Sequence, residues 1–126
     1  MSALIIVAAL VAGAAGAGLR YLAARAFTER PTRLPWAVLL VNVAGSALGG
    51  VAFGLVDAGL WGAEARLIVL SGFCGGLTTF STLSVETIQL VLDGRSRVAV
   101  ASVAANLALG VGAAALGWAT VVILAG

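Results

Sequence analysis

SGFCGGLTTFSTLSVET, residues 71–87, places two adjacent glycines and then six hydroxyl-bearing residues, Thr78 to Thr87, inside an apolar stretch long enough to cross a bilayer. Spanning helices ordinarily run unbroken. Hydrocarbon offers no water to freed backbone groups, so an interruption is tolerated only where neighbouring protein or a polar cavity satisfies them. The segment therefore predicts a discontinuous helix lining a pathway, and function is expected there.

The surrounding chain supplies the membrane context. Its 126 residues are 62% hydrophobic and 10% charged, and the mean hydropathy is +1.16, a balance that belongs to integral membrane proteins. Four apolar stretches, about residues 3–24, 35–56, 65–92 and 98–125, each meet the requirement of about 20 residues per crossing. The expected fold is all-α: a single transmembrane domain over residues 1–126, with four helices of which the third is broken. The first stretch lacks the basic residues that precede a secretory signal's apolar core. Arg20 and Arg25 follow it instead, so it reads as a helix of the protein itself. A third helix starting near Ala65 carries residues 75–78 roughly 15 to 20 Å inward at about 1.5 Å per residue. That is close to the midplane of a hydrocarbon core about 30 Å thick.

All seven basic residues are arginines. Arg20, Arg25, Arg30, Arg33, Arg95 and Arg97 fall in or beside the first and third connections, and only Arg66 lies on the other side. By the positive-inside rule those two connections are cytoplasmic and both termini lie outside. The net charge of +2 thus reflects anchoring and topology, with no nucleic-acid partner implied. Tyr21, Trp36, Trp61 and Trp118 fall near helix ends, as interfacial aromatics do. Small residues repeat along helices 1, 2 and 4, at Gly13 and Gly16, at Gly45, Gly49 and Gly50, and at Gly110 and Gly117, which predicts close backbone approach. Four such thin helices enclose little space, so a transporting unit calls for more than one chain. Cys74 is the single cysteine and reads as a small buried apolar residue.

A break in helix 3 would bare carbonyl oxygens at residues 75–78 and create a new helix start with free amides. Carbonyls suit a small hard cation such as Na⁺; hydroxyls, amides and a helix start suit an anion. The competing reading leaves Gly75 and Gly76 to ease packing and the hydroxyls to bond back to their own helix. The density of Thr78, Thr79, Ser81, Thr82 and Ser84 favours the pathway. Beyond the break, Phe80, Leu83 and Thr87 share one helical face and Thr79, Thr82 and Glu86 another. Phe80 offers an electropositive ring edge to a dehydrated anion. Asn42 and Asn106 are amides within apolar runs, which fit either interhelical hydrogen bonding or a pore, and Ser102 extends a short polar stripe ahead of Asn106. Arg20 serves as an interfacial anchor or as a lure for anions at a vestibule. With no His, one Cys and only five scattered carboxylates, there is no nucleophile–base pair and no catalytic metal site, so enzyme readings fall away.

GAGLRYL at 16–22, VNVAGSALGG at 41–50 and GFCGGLTTFST at 72–82 together resemble the Fluc/CrcB family of small four-helix fluoride channels. The resemblance covers nearly the whole chain. It implies an antiparallel dimer in the cell membrane, two pores, passive export of fluoride from the cytoplasm and a structural Na⁺ at the dimer centre. On this chain the Na⁺ would be held by the backbone carbonyls of Gly75 and Thr78. The pore would be lined by Asn42, Phe80, the hydroxyls of Thr79, Ser81 and Thr82, and Asn106 with Ser102, and Arg20 would stand at the vestibule. The chain departs from the family pattern at Leu83, where a second pore phenylalanine is usual, at Ser102, often a tyrosine, and at Val38, often a threonine. The hydroxyl expected after Asn106 falls at Gly110.

These departures and the lopsided arginines together suggest a fixed-orientation subunit that pairs with a related subunit of opposite insertion. A homodimer is the alternative. A non-conducting or half-pore partner subunit remains a rival function. A small proton-coupled multidrug transporter is a further rival, disfavoured because it needs a deeply buried carboxylate, whereas Glu86 lies about 12 Å past the break. Reporter fusions to the C-terminus are expected to report the external side alone; equal populations on both sides would defeat fixed insertion.

Overall fold

The computed structural model describes residues 1–28 and 34–126, so Glu29, Arg30 and Arg33 of the first connection lie outside the described residues. Helix α1 spans Ala3–Thr28 and α2 spans Trp36–Asp57, entered through Pro35. The third span begins as Ala63–Arg66, winds over Leu67–Cys74 with hydrogen bonds five residues apart, and returns to α over Gly75–Leu77; 63–77 is α3. Helix α4 runs Ser81–Leu92 and α5 runs Ser96–Ala125. Among the described residues there are four spans long and apolar enough to cross a membrane. The protein is a multi-pass membrane protein.

The third span is interrupted at residues 78–80, so the break begins at Thr78, the last of residues 75–78. Gly75 and Gly76 stay helical, and Thr78 turns to an extended backbone with ψ of 156°. The reason lies in packing against α1. A side chain on Gly76 would run into the carbonyl of Gly13, and one on Gly72 would lie 2.7 Å from the carbonyl of Ala9. Gly16 in turn faces the Phe73 carbonyl and the Leu77 amide. Backbone therefore meets backbone along this seam, and unbroken winding through Gly76 is what keeps the glycines in register. Only after Leu77 does the chain leave α1. Up to Leu77 the third span lies on α1, and from Ser81 onward it lies on α5. The interruption is where the span changes partner.

The most extensive contact pairs α2 with α5. Gly50 admits the carbonyl of Ala114, and Gly117 admits the carbonyl of Ala47, so these helices too approach at backbone distance. Beneath them Val38, Leu39, Val41 and Ala99 are buried. Cys74 is buried as well, as a small core residue. Leu4, Leu10, Leu107 and Ile123 stay exposed on the outer faces, where lipid takes the place of protein. Two tight turns close the helices. Gly59 and Gly94 adopt positive φ of 74° and 76°, and each lets the next residue's amide reach five residues back, Leu60 to Leu55 and Arg95 to Leu90. At the α2 end, the Trp118 indole N–H donates to Asp57 Oδ2 at 2.7 Å and ties α5 to α2.

Gly50→Val and Gly76→Val are each expected to lower thermal stability by about 1–3 kcal/mol or more through overpacking. Gly18→Ala, where nothing lies within 4 Å, should leave the melting profile unchanged. Thermal unfolding in detergent, read with size-exclusion profiles, checks both; equal behaviour of the three variants would refute the backbone seams.

Candidate ion pathway

Thr78 to Phe80 lie between the two helical halves; the Thr78 amide still bonds the Cys74 carbonyl and the Phe80 carbonyl accepts the Ser84 amide, so it is the Thr79 peptide that needs partners from outside, and Asn42 on α2 meets that need. Its Oδ1 accepts the Thr79 amide at 2.8 Å, and its Nδ2 donates to the Thr79 carbonyl at 3.1 Å. The same Nδ2 donates to Asn106 Oδ1 at 2.9 Å, so both of its hydrogens are engaged. Asn106 Nδ2 passes the chain of bonds on to the Ser102 carbonyl at 2.8 Å. Asn42 is thus the interhelical bond that the sequence left open as one reading, fastening the break to α2 and α5 at once.

The hydroxyls divide into two groups. Thr78 donates back to Cys74, Ser84 to Phe80 and Thr87 to Leu83, each to a carbonyl four residues earlier. Thr79 Oγ1 instead accepts the Thr82 amide at 3.1 Å, capping the start of α4, and lies 3.2 Å from Ser81 Oγ. These bonds divert two amides. In an unbroken helix Thr79 would donate to the Gly75 carbonyl and Thr82 to the Thr78 carbonyl; here Asn42 and the Thr79 side chain take them.

Three grooves meet around this point. One, of about 480 Å³, runs between α1, α2 and α4 past Arg20, Tyr21, Trp36, Thr79, Thr82 and Glu86. Arg20 is turned inward there: its Nε donates to the Gly76 carbonyl at 3.1 Å, placing a cation at the C-terminal end of α3. Glu86 contributes a buried Oε2 that no protein group bonds. A second groove, of about 400 Å³, is walled by Asn42, Ser46, Thr79, Phe80, Leu83 and Asn106. The third, of about 480 Å³, is floored by Gly45, Gly49 and Gly50 and reaches Gly75 and Thr78.

The structure therefore gathers Asn42, Thr79, Phe80 and Asn106 around one groove and Arg20, Thr79 and Thr82 around another. The two faces read from the spacing after the break open onto separate grooves, Phe80 with Leu83 and Thr82 with Glu86. Ser81 stands exposed beside Thr79. Ser102 lies apart from the other candidates: it is 1% exposed, its hydroxyl has no partner, it lines none of these three grooves, and its carbonyl accepts from Asn106. Ser46 was missed, although its place one turn after Asn42 on the same face was visible in the sequence.

The family model described as CrcB-like protein, Camphor Resistance (CrcB), matches residues 7–118. The chain belongs to the CrcB-like family. Among its relatives is a Fluoride-specific ion channel FluC 1 of Frankia casuarinae, 44% identical over 115 residues that cover 86% of this chain and 89% of the relative. Thermobifida fusca has a protein of the same name, 44% identical over 112 residues covering 88% and 90%. A Fluoride-specific ion channel FluC of Chlorobaculum tepidum is 44% identical over 99 residues covering 78% and 79%.

Within this CrcB-like chain, Asn42→Ala is expected to cost about 1–3 kcal/mol of stability, because it orphans the buried Thr79 amide. Thermal unfolding of the purified variant tests this, and an unchanged midpoint would remove Asn42 as the fastener of the break.

Proposed function

We propose that this chain is a subunit of a fluoride-specific ion channel that lets F⁻ leave the cytoplasm down its gradient. Membership of the CrcB-like family and the names of its relatives support the ion. The observation that carries the mechanism is the Asn42-fastened break, which holds polar donors and the Phe80 ring at mid-membrane without collapsing the span. Fluoride is small and strongly hydrated, and it sheds water only where donors replace it.

Each residue then takes a part. Arg20 supplies positive potential at the cytoplasmic groove. The Thr82 hydroxyl in that groove, and the second Nδ2 hydrogen of Asn106 in the neighbouring one, are donors that bond to no other protein group described above. The Phe80 ring presents an electropositive edge that attracts an anion without binding it tightly. Asn42 acts through others, holding Thr79 and Asn106 in place. Ser81 and Thr79 form one linked pair of hydroxyls at the turn.

The grooves are one-sided, and Phe80 is 81% exposed in a position where lipid would leave an ion unshielded. A second, antiparallel subunit closing them fits this shape, as a second copy or as a related chain of opposite insertion. The arginine bias and the residues at Leu83, Ser102 and Gly110 favour the related chain, with one complete pore per pair. A structural Na⁺ suits the same centre. The carbonyls of Gly75 and Thr78 are both released from their helical amides, and both residues line the glycine-floored groove, so two subunits together could offer four hard oxygen ligands. Such an ion would lock the two broken helices together.

Efflux of F⁻ from liposomes, with Cl⁻ run in parallel, tests the reading. Flux of F⁻ without Cl⁻ is expected, from this chain alone or with a related subunit. Phe80→Ile should cut F⁻ flux about tenfold, equivalent to roughly 1.4 kcal/mol on the barrier, and leave assembly intact. Absence of F⁻ flux in both preparations would favour a non-conducting scaffold.

A further inference from the structure

The hydroxyls along the third span mostly bond within it, and Asn42 has no hydrogen left for an ion. Ser46 differs from both. It lies one turn beyond Asn42 on the same face of α2, is half-buried, and walls the groove that Asn42, Phe80 and Asn106 share. It also borders the glycine-floored groove that reaches Thr78, so its side chain stands where two grooves adjoin. Thr78, Ser84, Thr87 and Thr120 each turn a hydroxyl back onto a carbonyl four residues earlier, whereas Ser46 makes no such bond to Asn42.

The facing helix explains how Ser46 finds room. On α5, one turn after Asn106, stands Gly110, and a Cβ built there would sit 3.4 Å from Ser46 Oγ. A larger residue on α5 would press on the hydroxyl; the glycine leaves it a notch. The chain thus carries a donor on α2 at the level where α5 carries none.

We propose that the Ser46 hydroxyl contacts the permeating anion, as the donor that follows Asn106 along the pathway, supplied by α2 across the Gly110 notch. This rests on the fluoride-channel reading and adds to it a contact residue and the wall from which it comes. A hydroxyl can donate to F⁻ at the cost of no other bond here, which is what distinguishes it from the amide of Asn42.

The test moves the hydroxyl from one wall to the other. The full chain and its variants are reconstituted, together with a related subunit if the chain alone is silent, and F⁻ efflux is measured. Ser46→Ala should lower flux roughly tenfold, as loss of a hydrogen bond to a charged partner does. The double variant Ser46→Ala with Gly110→Ser, in which the crowding atom is gone, should recover most of it. Size-exclusion profiles and thermal midpoints of both variants should match the parent. A conducting parent with undiminished flux in Ser46→Ala overturns this inference alone. So does a double variant that assembles normally and stays as slow as the single one, since packing would then account for Ser46. A parent silent under both conditions overturns the channel reading, and the role of Ser46 falls with it.

Discussion

One carboxamide holds the middle of this protein together. Where the third span stops being helical, the Thr79 peptide has both its amide and its carbonyl turned to Asn42, which meets them as a neighbouring strand would. Thr79 is buried, so each of those groups left alone would cost free energy comparable to a whole hydrogen bond or more. Because the same side chain also grips Asn106, the bend in α3 and α4 is fixed relative to α2 and α5. Everything that bears on ion movement, including the angle of Phe80, the cap at Thr79 and the release of the Gly75 and Thr78 carbonyls, follows from where that bend is pinned.

The bend has a second function in the architecture. A continuous third span would have to choose between α1 and α5 along its whole length. The interruption lets the first half lie backbone to backbone on α1 and the second half cross to α5, leaving grooves on both sides of the crossing. Arg20 steadies the end of the first half, at the Gly76 carbonyl, and Thr79 steadies the beginning of the second. Charge and cap thus finish the two helix ends as they would in water, using side chains in place of solvent.

Much of this was legible in the residues. Hydropathy and length gave the four spans, and the hydroxyl-rich run the interrupted helix. That Gly75 and Gly76 stay helical and the break waits until Thr78 was not legible, because glycine pairs signal both helix rupture and helix contact; Gly76 against Gly13 shows contact to be the stronger demand. A polar stripe on one helix likewise has no direction until its neighbours are known: Ser102 is buried, while Asn106 reaches the groove. Ser46 escaped notice amid small residues, where a serine passes as one more spacer.

The seam between α1 and α3 also constrains how the sequence can drift. At Gly13, Gly16, Gly72 and Gly76 the side chain is already the smallest that the genetic code offers, and backbone atoms occupy the space beyond at three of the four with no room to yield. Variation there is consequently one-sided: any amino-acid change adds bulk, and none can relieve a misfit elsewhere by subtracting it. Adjustments in this bundle must therefore accumulate on the lipid-facing sides, while its innermost line stays fixed by arithmetic of size alone.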